Sequence, residues 1–289
     1  MSSTEWRKVL WQRQQYADNF IPSHSFLSSL RRNPNFTPYT YWSLVSSCCA
    51  ITQHLAGVFT FLAVFARLKE RSLDARVLLW VSIACFILGY VVWEVLNYSN
   101  PGHGLSSRSK ALKSSLLVFL ALMGLAPVLR TLTAATSSDS IWALSACLFL
   151  LNILLADYSC TKPASHIQER LTSVLSMNAA ISSSVVLASR LPDDLSVFSL
   201  VLFAVQSFAL FPLLRHRFWA MSTTLQVSVT MSISALSLIL TIPLSVSVAT
   251  LATAIYIAVT FVAPGVLVWA QKYKNEIRGP WDVAVPRVN

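Results

Sequence analysis

The longest uncharged stretch of the chain lies between Arg217 and Lys272, where 54 residues contain no Asp, Glu, Lys, Arg or His. As one helix it would be about 81 Å long, far more than the roughly 30 Å hydrocarbon core of a bilayer. Pro243 lies near its middle and can end a helix, because proline lacks an N–H and disfavours helix at the preceding residue. We therefore predict two membrane spans here, residues 225–242 and 244–270.

Further charge-poor runs are long enough to cross a membrane, since a span needs about 20 mostly apolar residues. They are residues 44–66, 77–96, 114–132, 141–158, 171–191 and 195–214. Only 12% of the chain is charged, about half the roughly 25% that is usual in soluble domains. The predicted fold is an all-α polytopic membrane bundle of about eight transmembrane helices, with six as the alternative because serines dilute residues 225–242.

The spans divide the chain into three predicted regions: an amphipathic N-terminal region 1–43, the transmembrane bundle 44–270 and a C-terminal tail 271–289. The polar start argues against a cleavable signal peptide, which needs an early apolar stretch. Around Trp6 and Trp11, apolar and basic residues alternate as in a helix that lies on an anionic surface or packs on the bundle. Residues 25–32 predict a second short helix, with Arg31 and Arg32 in its last turn.

The distribution of Lys and Arg predicts which side of the membrane each loop occupies. With eight spans, 16 of the 22 Lys and Arg residues fall on the side that holds both termini, and six fall on the other side. Cytoplasmic loops carry the excess of positive charge, so both termini and the tail are expected in the cytosol. The glycosylation sequons at Asn35 and Asn97 are then cytosolic and should be silent. The net charge of +10 fits a membrane surface, and no nucleic-acid partner is predicted.

Polar residues near the ends of spans are candidate functional groups, because they are costly within a membrane. On the predicted cytosolic side these are Glu94, Lys113, Asp157 with its neighbour Tyr158, and Asn178. For Glu94 and Asp157 a purely structural hydrogen bond is an equally good account, and Lys113 can simply extend to the interface. On the opposite side Arg130 and Arg190 are further candidates, and like Lys113 they can simply extend to the interface.

Motifs for soluble chemistry are absent from the sequence. The histidines are far apart, the adjacent Asp193 and Asp194 do not have metal-binding spacing, and the five cysteines form no metal-site pattern. Residues 102–104, Gly-His-Gly, follow a membrane helix rather than a strand, so they are not a dinucleotide-binding loop. No catalytic residue, cofactor or metal is predicted.

Short blocks spread along nearly the whole chain carry a family resemblance. They are WRKVLWQRQ at 6–14, DNF at 18–20, FL at 26–27, LR at 30–31, YW at 41–42, LKS at 112–114, APVLRTLT at 126–133, DSI at 139–141, DY at 157–158, LASRLP at 187–192 and NEIRGPWD at 275–282. In this order they resemble the PIG-C family, whose members are subunits of phosphatidylinositol N-acetylglucosaminyltransferase, the complex that begins glycosylphosphatidylinositol (GPI) anchor biosynthesis. Ser176-Met177-Asn178 departs from the family's Ser-Leu-Asn, and residues 99–109 and 159–168 match no pattern.

The resemblance implies a multi-pass protein of the endoplasmic reticulum membrane. Its complex would transfer N-acetylglucosamine from UDP-GlcNAc to phosphatidylinositol, with the sugar-nucleotide site in a separate catalytic subunit. The implied role is assembly or lipid presentation, with phosphatidylinositol, membrane lipid and the other subunits as partners. Candidate lipid or partner contacts are Lys113, Asp157, Asn178, Glu94, Trp6 and Trp11. Lys113 suits the lipid phosphate, for which Arg215 and Arg217 are the alternatives. The rival account is a structural salt bridge between Lys113 and Asp157. A lipid transporter or scramblase, or a lipid-modifying enzyme in its own right, remains the alternative.

Overall fold

The computed structural model of the protein describes residues 13, 15–17, 20, 30–33, 36–97, 105–158, 166–219, 222–274 and 277–278. The α-helices within these residues are α1 (Tyr41–Lys69), α2 (Ala75–Asn97), α3 (Leu105–Thr131), α4 (Ser138–Leu155), α5 (His166–Ala188), α6 (Asp194–Val205), α7 (Phe211–Trp219), α8 (Thr223–Thr241), α9 (Val246–Ile257) and α10 (Ala263–Ala270). Two short strands, β1 (Arg31–Arg32) and β2 (Ile277–Arg278), pair antiparallel. The predicted helical membrane bundle is confirmed.

Seven helices in the described part of the chain are long and apolar enough to cross a membrane. They are Tyr41–Lys69, Ala75–Val95, Lys113–Thr131, Ser138–Leu155, Asp194–Arg215, Thr223–Thr241 and Val246–Tyr273. Each coincides with a predicted span. The remaining predicted span, residues 171–191, corresponds to a shorter apolar helix, Ser173–Ala188.

The uncharged stretch divides into two helices at Pro243, as predicted. Helix α8 ends at Thr241, and α9 begins at Val246 after the Ser245 hydroxyl caps it by accepting a hydrogen bond from the Val248 amide. Helix α9 then continues through a π-helical segment, Ala258–Val262, into α10, and α6 continues through Gln206–Leu210 into α7. Each of these spans is therefore one helix with a single wide turn inside it.

Some predicted boundaries were wrong. Helix α4 ends at Leu155 because Ala156 is extended, so Asp157 and Tyr158 lie just beyond it. The expected short helix over residues 25–32 is wrong at its end, where Arg31 and Arg32 form a strand whose hydrogen-bonding partners are far away in sequence. The predicted amphipathic helix around Trp6 and Trp11 lies outside the described residues.

The described residues belong to two compact units, one within residues 1–41 and 265–289 and the other within residues 42–264. In the larger unit α1 is the central helix, since 67% of its most apolar 18-residue stretch is buried, compared with 6% of the corresponding stretch of α3. Phe61 on α1 contacts Phe149 on α4 and Phe208, with ring centroids 5.7 and 5.4 Å apart. Helix α6 packs against α2, α3 and α5, while α4 packs along α5.

Polar contacts also attach α1 to the last helices of the larger unit. Gln53 donates through Nε2 to the Gln226 carbonyl at 3.2 Å and to the Thr230 hydroxyl at 2.8 Å. The hydroxyls of Thr52 and Thr260 lie 2.8 Å apart. Hydrogen bonds of this kind join helices where the surrounding lipid provides no partner for a polar group.

Candidate functional site

A chain of polar side chains connects α1, α4 and α5, in which His54 is half-buried and Asn152 and Ser176 are buried. His54 Nε2 lies 2.7 Å from Asn152 Oδ1, and Asn152 Nδ2 donates to both the carbonyl and the hydroxyl of Ser176 at 2.9 Å. The Ser176 hydroxyl in turn donates to the Asn152 carbonyl at 2.8 Å. Asn152 is 2% exposed and Ser176 is 3% exposed. Because unbonded polar groups are costly in such surroundings, this set of bonds fixes how the three helices meet.

A buried arginine from α7 extends this group. Arg215 is 5% exposed and donates from Nη1 to the Ala50 carbonyl and from Nη2 to the Asp157 carbonyl, both at 3.3 Å. Its guanidinium carbon lies 6.0 Å from the centre of the Tyr158 ring, and the His54 ring lies 5.7 Å from the same ring. We call His54, Asn152, Ser176, Tyr158 and Arg215 the interior cluster. It ties four helices and the segment after α4 together.

Tyr158 occupies the boundary of the interior cluster, beyond the end of α4. Its hydroxyl donates to the Ile153 carbonyl at 2.9 Å, one of the carbonyls that a helix end leaves without an intrahelical partner. Burial raises the pKa of Tyr158 to about 12, and the positive charge of Arg215 opposes that rise. The phenol is therefore neutral at physiological pH and available as a hydrogen-bond donor.

The structure separates most of the residues that the sequence singled out. Asp157 lies at the interior cluster, where its carbonyl binds Arg215, whereas Lys113 and Asn178 are exposed on α3 and α5. Glu94 is half-buried near the end of α2. Among the described residues, no ion pair joins Lys113 to Asp157. Trp6 and Trp11 lie outside the described residues.

The sequence analysis missed His54, Asn152 and Ser176. His54 and Asn152 could have been found, because each is a large polar residue within a charge-poor run. The spacing of the histidines argues against a metal site, but it does not exclude hydrogen bonding by a single histidine within a span. Within the described part of the chain, no group of three or more His, Cys, Asp or Glu residues is placed to hold a metal ion.

The comparisons with known proteins cover almost the entire chain. Residues 6–282 match the family model GPI2, described as phosphatidylinositol N-acetylglucosaminyltransferase. The GPI2 subunit of that enzyme from Schizosaccharomyces pombe is 37% identical over 98% of this chain and 87% of the relative. The C subunit from Homo sapiens is 34% identical over 97% of this chain and 92% of the relative. The chain belongs to this family. A putative C subunit from Dictyostelium discoideum is 36% identical over 97% of this chain and 79% of the relative. No solved structure matches the chain.

Two blocks that resemble the family contribute to the interior cluster. The DY block supplies Tyr158 and the Asp157 carbonyl. The block Ser176-Met177-Asn178 supplies Ser176, while Asn178 is exposed. The conservative change at the middle position of that block leaves the cluster residue intact.

Two other family blocks meet where α3 and α5 end and α6 begins. Arg130 Nε forms an ion pair with Asp194 Oδ1 at 3.2 Å, and the Thr133 hydroxyl lies 2.5 Å from that of Ser189. Arg190 donates to the Thr136 carbonyl. We call Arg130, Thr133, Ser189, Arg190 and Asp194 the end cluster. The side chains of the Arg130–Asp194 pair are 43% and 47% exposed, so solvent weakens their attraction.

Proposed function

We propose that this protein is a membrane-embedded, non-catalytic subunit of a phosphatidylinositol N-acetylglucosaminyltransferase in the endoplasmic reticulum. The observation that carries the proposal is the match over 97–98% of the chain to proteins named as subunits of that enzyme. The chain would hold the catalytic subunit at the membrane surface and present phosphatidylinositol to it. Orientation of this kind can raise a reaction rate without any bond chemistry in the presenting protein.

An even number of membrane crossings supports this arrangement. The Tyr39 amide, just before α1, donates to Gln271 Oε1 at 3.0 Å, and Gln271 Nε2, just after α10, donates to the Tyr39 carbonyl at 3.1 Å. An odd number of crossings would separate these residues by the roughly 30 Å hydrocarbon core. The short apolar helix Ser173–Ala188 would therefore be the eighth span. With both ends of the chain on the side richer in Lys and Arg, they would face the cytosol.

Lys113 and Asn178 remain our candidates for contact with the lipid, because both are exposed, Lys113 at the end of its span and Asn178 within the first two turns of the apolar helix Ser173–Ala188. The ammonium of Lys113 is a compact charge suited to a phosphate, and Asn178 can bond to inositol hydroxyls. Arg215, an alternative phosphate contact by sequence, is a poor one because its guanidinium is buried and bonded to carbonyls. Asp157, Glu94, Trp6 and Trp11 complete the proposed lipid or partner contacts.

Purification of the full-length tagged chain from membranes tests this proposal. We expect the chain to recover, with the other subunits, an activity that transfers N-acetylglucosamine from UDP-GlcNAc to phosphatidylinositol. The chain purified alone, in lipid, should have none. Transferase activity from the isolated chain would contradict a non-catalytic role, and an isolated chain that moves lipid between leaflets without recovering the transferase would favour a scramblase.

A further inference from the structure

The segments that flank the first and last membrane helices are bonded to each other. Beyond the reciprocal bonds of Tyr39 with Gln271, the Asn33 side chain donates to the Lys274 carbonyl at 2.9 Å. Further out, β1 pairs with β2, so that Arg31 faces Arg278 in the register. We call the segments 31–39 and 271–278 the paired termini, of which the structure describes residues 31–33, 36–39, 271–274 and 277–278. These described residues are distant in sequence and are held as one surface, which the chain connects directly to the first and last spans.

The paired termini are strongly basic. Their sequence contains five cations and a single acid, Glu276; the cations are Arg31, Arg32, Lys272, Lys274 and Arg278. The side chains of Arg31, Lys272 and Lys274 are exposed. Lys274 Nζ lies 5.2 Å from the centre of the Phe36 ring, which holds this charge near the pairing. Pairing therefore concentrates positive charge that is split between the two ends of the sequence.

Large aromatic side chains accompany these charges and are also exposed. Tyr39 is 58% exposed, Tyr273 is 66% exposed and Trp269 is 58% exposed. The rings of Trp269 and Tyr273 lie 5.1 Å apart near the end of the last span. Tyrosine and tryptophan are enriched at the boundary between membrane and water, where an apolar ring with a polar edge suits both environments.

We propose that the paired termini bind the anionic phosphate headgroups of the adjacent membrane surface. Arg31, Lys272 and Lys274 contact the phosphates, while Trp269 and Tyr273 sit at headgroup level. A lipid surface explains the charges and the exposed rings together, and chain connectivity places these residues beside two spans. An acidic protein surface would account for the charges alone. The inference does not depend on transferase activity, so its failure would leave the proposed function standing.

Hydrogen exchange of the full-length chain in lipid nanodiscs tests the inference. Exchange of the amides of residues 36, 37, 39 and 271–274 is compared in discs of phosphatidylcholine and in discs where a quarter of the lipid is phosphatidylserine. We expect exchange about threefold slower or more in the anionic discs, and loss of this difference in high salt. Phosphatidylinositol at the same fraction should slow exchange equally, because binding depends on the negative charge of the lipid and not on the identity of its headgroup.

Neutral variants provide the matched control. The double variant Lys272→Gln/Lys274→Gln should lose most of the slowing. Arg71→Gln/Arg76→Gln, which removes one exposed charge between α1 and α2 and another in the first turn of α2, should retain it. Equal exchange in both kinds of disc would overturn the proposal. Slowing that survives high salt, slowing only with phosphatidylinositol, or slowing that needs the other subunits rather than anionic lipid would also overturn it.

Discussion

Arg215 in the interior cluster and Arg130 in the end cluster are the same kind of side chain in opposite surroundings. Arg215 is 5% exposed and donates to two carbonyls, whereas the Arg130 side chain is 43% exposed and pairs with a half-exposed carboxylate. Removing a partner from a buried hydrogen bond leaves a group that water cannot reach, while an exposed group recovers its bonds from solvent. The interior cluster should therefore determine how the helices assemble, and the Arg130–Asp194 pair of the end cluster should contribute little to stability.

Substitution of Asn152 should have the largest effect. Asn152→Leu keeps the volume but removes the partner of the His54 ring and the donor to the Ser176 carbonyl and hydroxyl, and we expect a loss of about 2–3 kcal/mol of stability. Thermal unfolding of the purified chain in detergent measures it. Asn178→Leu is the matched control on the exposed face of α5 and should change stability by less than about 0.5 kcal/mol. Equal losses in the two variants would remove the distinction between buried and exposed amides.

The two arginines test the comparison directly. Arg215→Met should cost about 1–2 kcal/mol, because the carbonyls of Ala50 and Asp157 lose their donor. Arg130→Met should cost less than about 0.5 kcal/mol, as is usual for exposed ion pairs. The same unfolding measurement compares them. A larger loss at Arg130 would reverse the assigned importance of the two clusters.

Charge reversal distinguishes function from stability at the proposed cytosolic side. Lys113→Glu and Asp157→Lys should each lower the transferase activity of the purified complex about fivefold, equivalent to about 1 kcal/mol. Since the structure describes both residues and forms no ion pair between them, the double variant should stay impaired. Arg130→Glu, at the other cluster, should keep full activity. Full recovery in the double variant would mean that only pairing matters, and unaffected single variants would exclude both roles.

Among the substitutions in the interior cluster, Tyr158→Phe should have the smallest effect, and its size should depend on pH. Near neutral pH the variant loses one hydrogen bond to the Ile153 carbonyl, and we expect a cost of about 0.5–1 kcal/mol. The folded protein holds the Tyr158 proton more tightly than the unfolded chain, with a pKa of about 12 against 10.0. The contribution of Tyr158 to the stability of the folded protein is therefore complete below pH 10 and is lost as the pH rises toward 12. Unfolding scans at increasing pH should show the difference between the proteins shrink above pH 10, and a constant difference would contradict this assignment.

Hydrophobic patterning predicted the spans because each one depends only on local composition. Proline chemistry likewise predicted the division at Pro243, since its effect is confined to neighbouring residues. The interior cluster was not predicted, because His54 and Asn152 are 98 positions apart and their contact depends on how the helices pack. The pairing of β1 with β2 was missed for the same reason, and local pattern wrongly favoured a helix at Arg31.

The proposal depends on both ends of the chain facing the cytosol, where the donor sugar would be available. Glycosylation mapping in endoplasmic reticulum membranes tests this most directly, because only luminal sequons are modified. We predict that the native sequons at Asn35 and Asn97 stay unmodified, and that an acceptor cassette inserted after Ser72, between the first two spans, is glycosylated. Modification of Asn35 or Asn97, with an unmodified cassette after Ser72, would contradict the orientation and the role built on it.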